Sequence, residues 1–380
     1  MPNLTYIGQT PSEGTGSPVI VLRHLQRLAA HGWKITVIGE AGDNDAACKS
    51  AGWPVKYLPL RRGFWPPYRP DKPLSRRVRT WLLGRECRRL TADARPDALL
   101  GYLAAHADFS PEIAAHFARQ SGVPLSLLIH DDAAAFAQTP AEQANLHARH
   151  AWILRQCHRC WFVSPELAAT YNVAPDQRRV LLPIPEGWAG NAAWQPSFAQ
   201  QPRVYYAGFI WPPQFPLLTK LAQKLQSAGA RLVLLSRETP ELRAFLNSGL
   251  ADWIPPFASN RDALAHLAAN AAGVIISYSE TSAEMPWVTT SFPSKFVEYS
   301  HLGLPAAIIS SDDSSIGRWA TAASYPFFYT PDRLDAFTSW AIRLRNSTSW
   351  LEQSTAPSTL AATTFNPEQI HSELEDALLR

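Results

Sequence analysis

The sequence predicts an α/β protein built from two doubly wound, Rossmann-like domains. Three observations predict it. A length of 380 residues exceeds what one ordinary core organises, short apolar runs alternate with helical patterns along most of the chain, and those runs are continuously apolar. Strands apolar on both faces suit a parallel sheet that helices cover on both sides.

The elements follow in order. "LTYIG" reads as a strand, "SPVIVLRHLQRLAAHG" as a helix and "KITVIG" as a second strand. Ser17 stands at the N-cap and Pro18 at the first helical position. Leu22, Leu25, Leu28 and Ala29 recur on one face, and Gly32 ends the helix. Further strands are expected at 97–102, 124–130 and 160–164, with helices over 110–121 and 141–157. The first domain is expected to span 1–186. The stretch "LPIPEGWAGNAAWQPSFAQQP" has no sustained period, so 187–202 reads as a linker. A second domain is expected over 203–365. Its strands are "RVYYAG", "RLVLLS", "DWIP", "GVIISY" and "PAAIIS", and its helices lie over 214–228, 240–248, 260–271 and 293–302. An amphipathic helix over 366–380 is expected to fold back on the first domain. Open sheets bind ligands beyond the carboxyl ends of their strands, so the two domains are expected to face a central cleft that holds the site.

Composition narrows the function. No run approaches the roughly 18 apolar residues of a membrane span, and the first residues lack the basic and apolar regions of a secretory signal, so a cytoplasmic location is expected. The cysteines are Cys48, Cys87, Cys157 and Cys160, and only the last two form a C-x-x-C. With no second pair, they read as buried thiols rather than metal ligands. Charge is unevenly spread. Residues 61–89 hold ten basic side chains against Asp71 and Glu86, a net of +8, whereas the whole chain carries +3. Trp65, Trp81, Leu82 and Leu83 interleave with those charges, which suits either an anionic membrane surface or a solvated helix with snorkelling arginines. No nucleic-acid-binding motif accompanies them. Asp43-Asn44-Asp45 has the D-x-D form of a divalent-cation site, but reads as a polar surface loop.

The segment "TTSFPSKFVEYSHLGLPAAII" carries the chemistry. Pro293 and Ser294 open a helix that Gly303 closes. Unsatisfied amides and the helix dipole favour a phosphate there, and Lys295 adds a full charge. Glu298, one turn further in, suits two hydrogen bonds from the vicinal hydroxyls of a ribose. Taken alone, the segment fits a capped helix with a surface Lys and Glu equally well.

"PSKFVEYSHLGLPAAI" resembles the nucleotide-sugar signature of GT-B-fold glycosyltransferases of group 1, the family-4-like kind, in the form P-x-K-x-x-E-Y-x-x-x-G-x-P. The resemblance implies that Glu298 holds the donor ribose, and that Ser294, Lys295 and Phe296 line the diphosphate. "SEGTGSPVIVLRHL" is similar to the family's loop after the first strand, where Gly14 and Gly16 let backbone approach the sugar or acceptor. "LSLLIHDDAAAF" is similar to its strand-end His-Asp, which implies that His130 faces the transferred sugar; Asp131 and Asp132 beside it are candidates to deprotonate the acceptor hydroxyl. Two departures stand out. Thr290 replaces the glutamate that many relatives use on the donor sugar, and the arginine usual after the second domain's first strand is missing, leaving Arg237 and Lys295 to compensate.

By resemblance, the expected reaction is sugar transfer from a nucleotide-diphosphate sugar, UDP or GDP, with retention and with no metal or other cofactor. The acceptor stays open among a glycan, a lipid-linked glycan, a protein and a small molecule. A nucleotide-sugar epimerase of the same fold and a non-catalytic sugar-nucleotide-binding subunit are the alternatives. Residues 61–89 would place the enzyme on the inner face of a membrane, in polysaccharide or glycoconjugate biosynthesis.

Overall fold

The computed structural model describes residues 1–13, 17–39, 44–58, 73–103, 109–137, 139–187 and 192–379. The chain divides into two compact units, Met1–Ile184 with Glu368–Arg380, and Pro185–Pro367. Both are doubly wound α/β structures with parallel sheets.

The first unit runs β1 (Asn3–Ile7), α1 (Ser17–Ala30), β2 (Lys34–Gly39), α2 (Ala46–Ser50), β3 (Val55–Tyr57), α3 (Pro73–Leu90), β4 (Ala98–Leu103), α4 (Ser110–Ser121), β5 (Leu125–Ile129), α5 (Pro140–Leu154), β6 (Arg159–Phe162), α6 (Pro165–Thr170) and β7 (Arg178–Val180). Among the described residues, its seven strands are ordered β3-β2-β1-β4-β5-β6-β7, so the order reverses between β1 and β4. Leu22, Leu25 and Leu28 of α1 are buried in the core, as their spacing requires. Gly32 takes φ +89° and ends α1, with Trp33 N donating to Leu28 O.

In the second unit come α7 (Pro196–Gln200), β8 (Arg203–Ala207), α8 (Phe215–Ser227), β9 (Arg231–Leu235), α9 (Pro240–Leu246), β10 (Ala251–Ile254), α10 (Asn260–Asn270), β11 (Gly273–Ser277), α11 (Ser294–Ser300), β12 (Ala306–Ile309), α12 (Ser315–Ala322), β13 (Phe328–Tyr329), α13 (Leu334–Arg343) and α14 (Ser347–Ala362). The order is β10-β9-β8-β11-β12-β13, which reverses between β8 and β11. A last helix, α15 (Pro367–Leu378), belongs to the first unit, where Ile370, Leu374 and Leu378 join the core around α1.

Among the described residues, a hydroxyl followed by proline starts three helices. Thr139, Ser164 and Thr239 each accept a hydrogen bond from the backbone amide three residues on, and Pro140, Pro165 and Pro240 follow them in the first turn.

The segment read as a linker behaves otherwise. Ala192 N donates to Leu302 O at 2.9 Å, Trp194 Nε1 donates to Leu344 O at 3.2 Å, and Phe198 is buried. Aromatic anchors thus fasten a Pro- and Ala-rich stretch to the second unit, and the division falls at Ile184. All four cysteines are free and buried. Burial raises the Cys48 thiol to about 11, and the pairing of the Cys157 thiol with Cys160, together with burial, pushes Cys157 well up. Among the described residues, no helix is long and apolar enough to cross a membrane.

Candidate functional site

In the second unit, the strand order reverses beside β8, and Lys295 lies against the carboxyl end of that strand. The loop leaving β8 begins with Gly208, at φ +124°. A Cβ there would overlap the end of the Lys295 side chain, so the glycine makes the room that the lysine fills. The Lys295 ammonium lies 5.1 Å from the centre of the Tyr206 ring, a cation–π contact. Lys295 makes no ion pair with a carboxylate among the described residues.

Two side chains fix this end of the sheet. Tyr299 of α11 donates its hydroxyl to Ala207 O at 2.9 Å, and burial pushes that hydroxyl's pKa upward. Gln214 is buried and joins two strand ends. Its Nε2 donates to Ser277 O at 2.6 Å and to the Tyr206 hydroxyl at 3.2 Å, while its Oε1 accepts from Trp211 N at 2.8 Å. Helix α11 is therefore clamped to β8, and its first turn is partly exposed at Ser294 and Lys295. Nearby, Phe209 and Trp211 are exposed, and Trp211 stacks obliquely against Trp287 with centroids 5.1 Å apart.

Glu298 is buried, 8% exposed, and its Oε2 accepts from Glu186 N at 3.4 Å. One turn of α11 thus separates a charged amine from a carboxylate, as the signature implies.

Phe296 corrects the sequence expectation. Its ring is fully buried among Trp319, Tyr325 and Phe365, and its amide donates to Pro293 O at 3.1 Å. An apolar residue on the inner face of α11 is drawn into the core, so the Phe296 side chain does not line a diphosphate. Thr290 lies in the turn before α11, with N and Oγ1 both donating to Trp287 O. Arg237 is exposed just beyond β9.

In the first unit, His130 follows β5 and is 8% exposed. Burial lowers its pKa to about 4, so the imidazole is neutral at pH 7. Its ring meets Tyr102, at the end of β4, edge on at 5.2 Å. Asp131 is partly exposed, whereas Asp132 is buried. Asp132 Oδ1 accepts from Ala134 N at 3.0 Å and from the Tyr171 hydroxyl at 2.8 Å. Gly14 and Gly16 lie outside the described residues, as do Asp43 and residues 61–72. Asp45 is engaged with Lys49 at 2.8 Å and with the Tyr57 hydroxyl.

Sequence reasoning missed Gly208 and Gln214. A glycine directly after "RVYYA" was the available signal for the first; nothing in the sequence marks the second.

Residues 15–185 match the family model described as the glycosyl transferase 4-like domain. No curated protein matches the sequence. Among solved structures, HepE from Anabaena in complex with UDP and glucose is similar at TM-score 0.69 and 12% identity, over 100% of this chain and 99% of that one. A glycosyltransferase from Rickettsia africae is similar at TM-score 0.69 and 10% identity, over 100% and 98%. MurG from Acinetobacter baumannii is similar at TM-score 0.53 and 13% identity, over 100% and 99%. By its two doubly wound units, and by the family match over the first of them, the chain has the GT-B fold of glycosyltransferases with a glycosyl transferase 4-like first unit.

Proposed function

We propose that the protein transfers a sugar, with retention, from a nucleotide-diphosphate sugar to an acceptor hydroxyl. The observation that carries this reading is Lys295, set over Gly208 at the reversal of the second sheet and at the start of α11. Breaking the anomeric C–O bond leaves its electron pair on the diphosphate, and positive charge builds on the sugar. A preorganised ammonium and the first helix amides meet that leaving charge at little reorganisation cost. With this charge in place, the transfer needs no divalent cation.

Glu298 is the ribose ligand in this reading, and Thr290 contacts the transferred sugar. Arg237 reaches the distal phosphate. Neutral His130 orients the sugar through hydrogen bonding rather than charge. Asp131 takes the acceptor proton, since Asp132 already holds Tyr171 and Ala134. HepE is solved with UDP and with UDP-glucose, which supports UDP as the first nucleotide to try.

A peripheral membrane location fits helix α3. Val78, Trp81 and Leu82 are 57%, 42% and 51% exposed. Their spacing puts them on one stripe, with Arg77, Arg79 and Arg85 exposed beside it. Such a surface suits an enzyme whose acceptor is a lipid-linked glycan.

The test is incubation with a panel of nucleotide sugars, following free nucleoside diphosphate and the anomer of the product. Release of UDP or GDP that depends on an acceptor is the expected result. Epimerised donor without release would make the protein an epimerase, and binding without turnover would make it a non-catalytic subunit. Absence of binding to every nucleotide sugar would overturn the reading.

A further inference from the structure

Helix α15 carries His371 and Glu375 one turn apart, and the turn after α1 brings His31 to the same place within the first unit. Glu375 Oε2 lies 2.5 Å from His31 Nδ1 and 3.7 Å from His371 Nε2. All three donor atoms fall within 4.8 Å of one another. The other carboxylate oxygen accepts from Trp33 Nε1 at 2.8 Å, which fixes the plane of the carboxylate. Outer hydrogen bonds of this kind orient metal ligands.

His371 is wholly buried, and its Nδ1 faces His24 Nδ1 at 3.2 Å. Only one of two facing ring nitrogens can donate. With the proton on His371 Nδ1, Nε2 presents a lone pair toward Glu375. That Nε2 is a buried polar atom without a hydrogen-bond partner. At 3.7 Å it is too far from Glu375 Oε2 for a hydrogen bond. Metal–ligand lengths near 2.1 Å in a tetrahedron, however, set neighbouring ligand atoms about 3.4 Å apart. The spacing suits two ligands of one ion better than it suits a bonded pair.

We propose that His31 Nδ1, His371 Nε2 and Glu375 Oε2 bind a divalent cation of the zinc class, which pins α15 to the end of α1. Two imidazoles with one carboxylate select a late first-row ion over magnesium or calcium, which take mostly oxygen ligands. His31 is 46% exposed in its side chain, so it can draw back by about an ångström to admit the ion. Arg27, the neighbouring cation, is paired with Glu368 and so is locally neutralised. A water completes the coordination. The role is structural and independent of the sugar-nucleotide site.

The full-length protein, stripped with a chelator, is titrated with zinc chloride by calorimetry and followed by thermal melting. One zinc per chain and a raised melting temperature are expected, with no competition from magnesium. His31→Ala changes an exposed side chain and preserves folding, and it is expected to weaken zinc binding at least about tenfold. Glu375→Gln is expected to weaken it likewise. Cobalt in place of zinc is expected to show d–d absorption without thiolate charge transfer, and Cys157→Ser with Cys160→Ser to bind as the parent does. The proposal fails if no zinc binds at 1:1, if His31→Ala binds as tightly as the parent, or if the thiol variants abolish binding.

Discussion

The Lys295 side chain fills the space above Gly208 that a Cβ would take. Two substitutions should therefore fail in the same way. Lys295→Ala removes a preorganised charge and should lower kcat/KM about 100-fold, or roughly 3 kcal/mol. Gly208→Ala both strains a positive-φ position and expels the lysine, so it should lose a similar factor. The double variant should be no worse than either single one, because both remove one interaction. Nucleoside diphosphate release measures the rates, and circular dichroism verifies the fold. Fully multiplicative losses would separate the two residues.

Glu298→Gln keeps the shape of the side chain and removes its charge. Hydrogen bonds to a charged group contribute about 1.5 to 3 kcal/mol, so the donor KM should rise by about tenfold or more while kcat changes little. A 2′-deoxy donor should bind the parent more weakly than its ribose counterpart and the variant almost equally. Calorimetry with UDP and 2′-deoxy-UDP reads the difference. Equal discrimination in both proteins would remove Glu298 from the ribose.

Acid should loosen the first unit. Burial lowers His130 to about 4, His150 to about 3 and His371 to about 4. Unfolded histidines titrate near 6.5, so between that pH and about 4 the unfolded chain binds protons that the folded chain does not. Stability is then full above pH 6.5 and falls with acidification, by about 1.4 kcal/mol per pH unit for each such histidine. Urea midpoints between pH 7 and 5 should drop, and hydrogen exchange should report the opening within 1–184. A midpoint that stays level over this range contradicts the prediction.

Helix α3 should hold the protein on phosphatidylserine vesicles. Arg76 is turned inward to Glu112 at 3.4 Å, so the outward charges to neutralise are Arg77, Arg79 and Arg85. At about 1 kcal/mol per basic residue, removing all three should weaken binding about 100-fold at low salt. Trp81→Glu with Leu82→Glu should weaken it even at high salt. Sedimentation with vesicles decides, and unchanged pelleting of both variants would leave α3 a solvated surface.

The sheets were legible because their strands are apolar on both faces, and α4 was read over 110–121 as it stands. The short edge strands β3, β7 and β13 have too few residues to show a period. Helix α14 escaped for another reason. It runs through "STSWLEQSTAPSTLAA" with Pro357 inside, a composition of low helix propensity that Trp350, buried against the sheet with Nε1 donating to Ala272 O, overrides. At the candidate site, the placing of Lys295 and Glu298 one turn apart on α11 follows from a linear motif. Phe296 was misread because such a motif does not say which face of a helix meets the core. Gln214 was invisible because its three partners come together only in the folded unit.

Residues Ile370, Leu374 and Leu378 complete a core that includes Leu25, Leu28 and Trp33, more than three hundred positions earlier in the chain. On the ribosome, the leading portion must wait, its apolar seam uncovered, until the whole intervening body has been made. A nascent chain halted before α15 should attract chaperones that the completed first unit escapes, and α15 then acts as the latch on that unit.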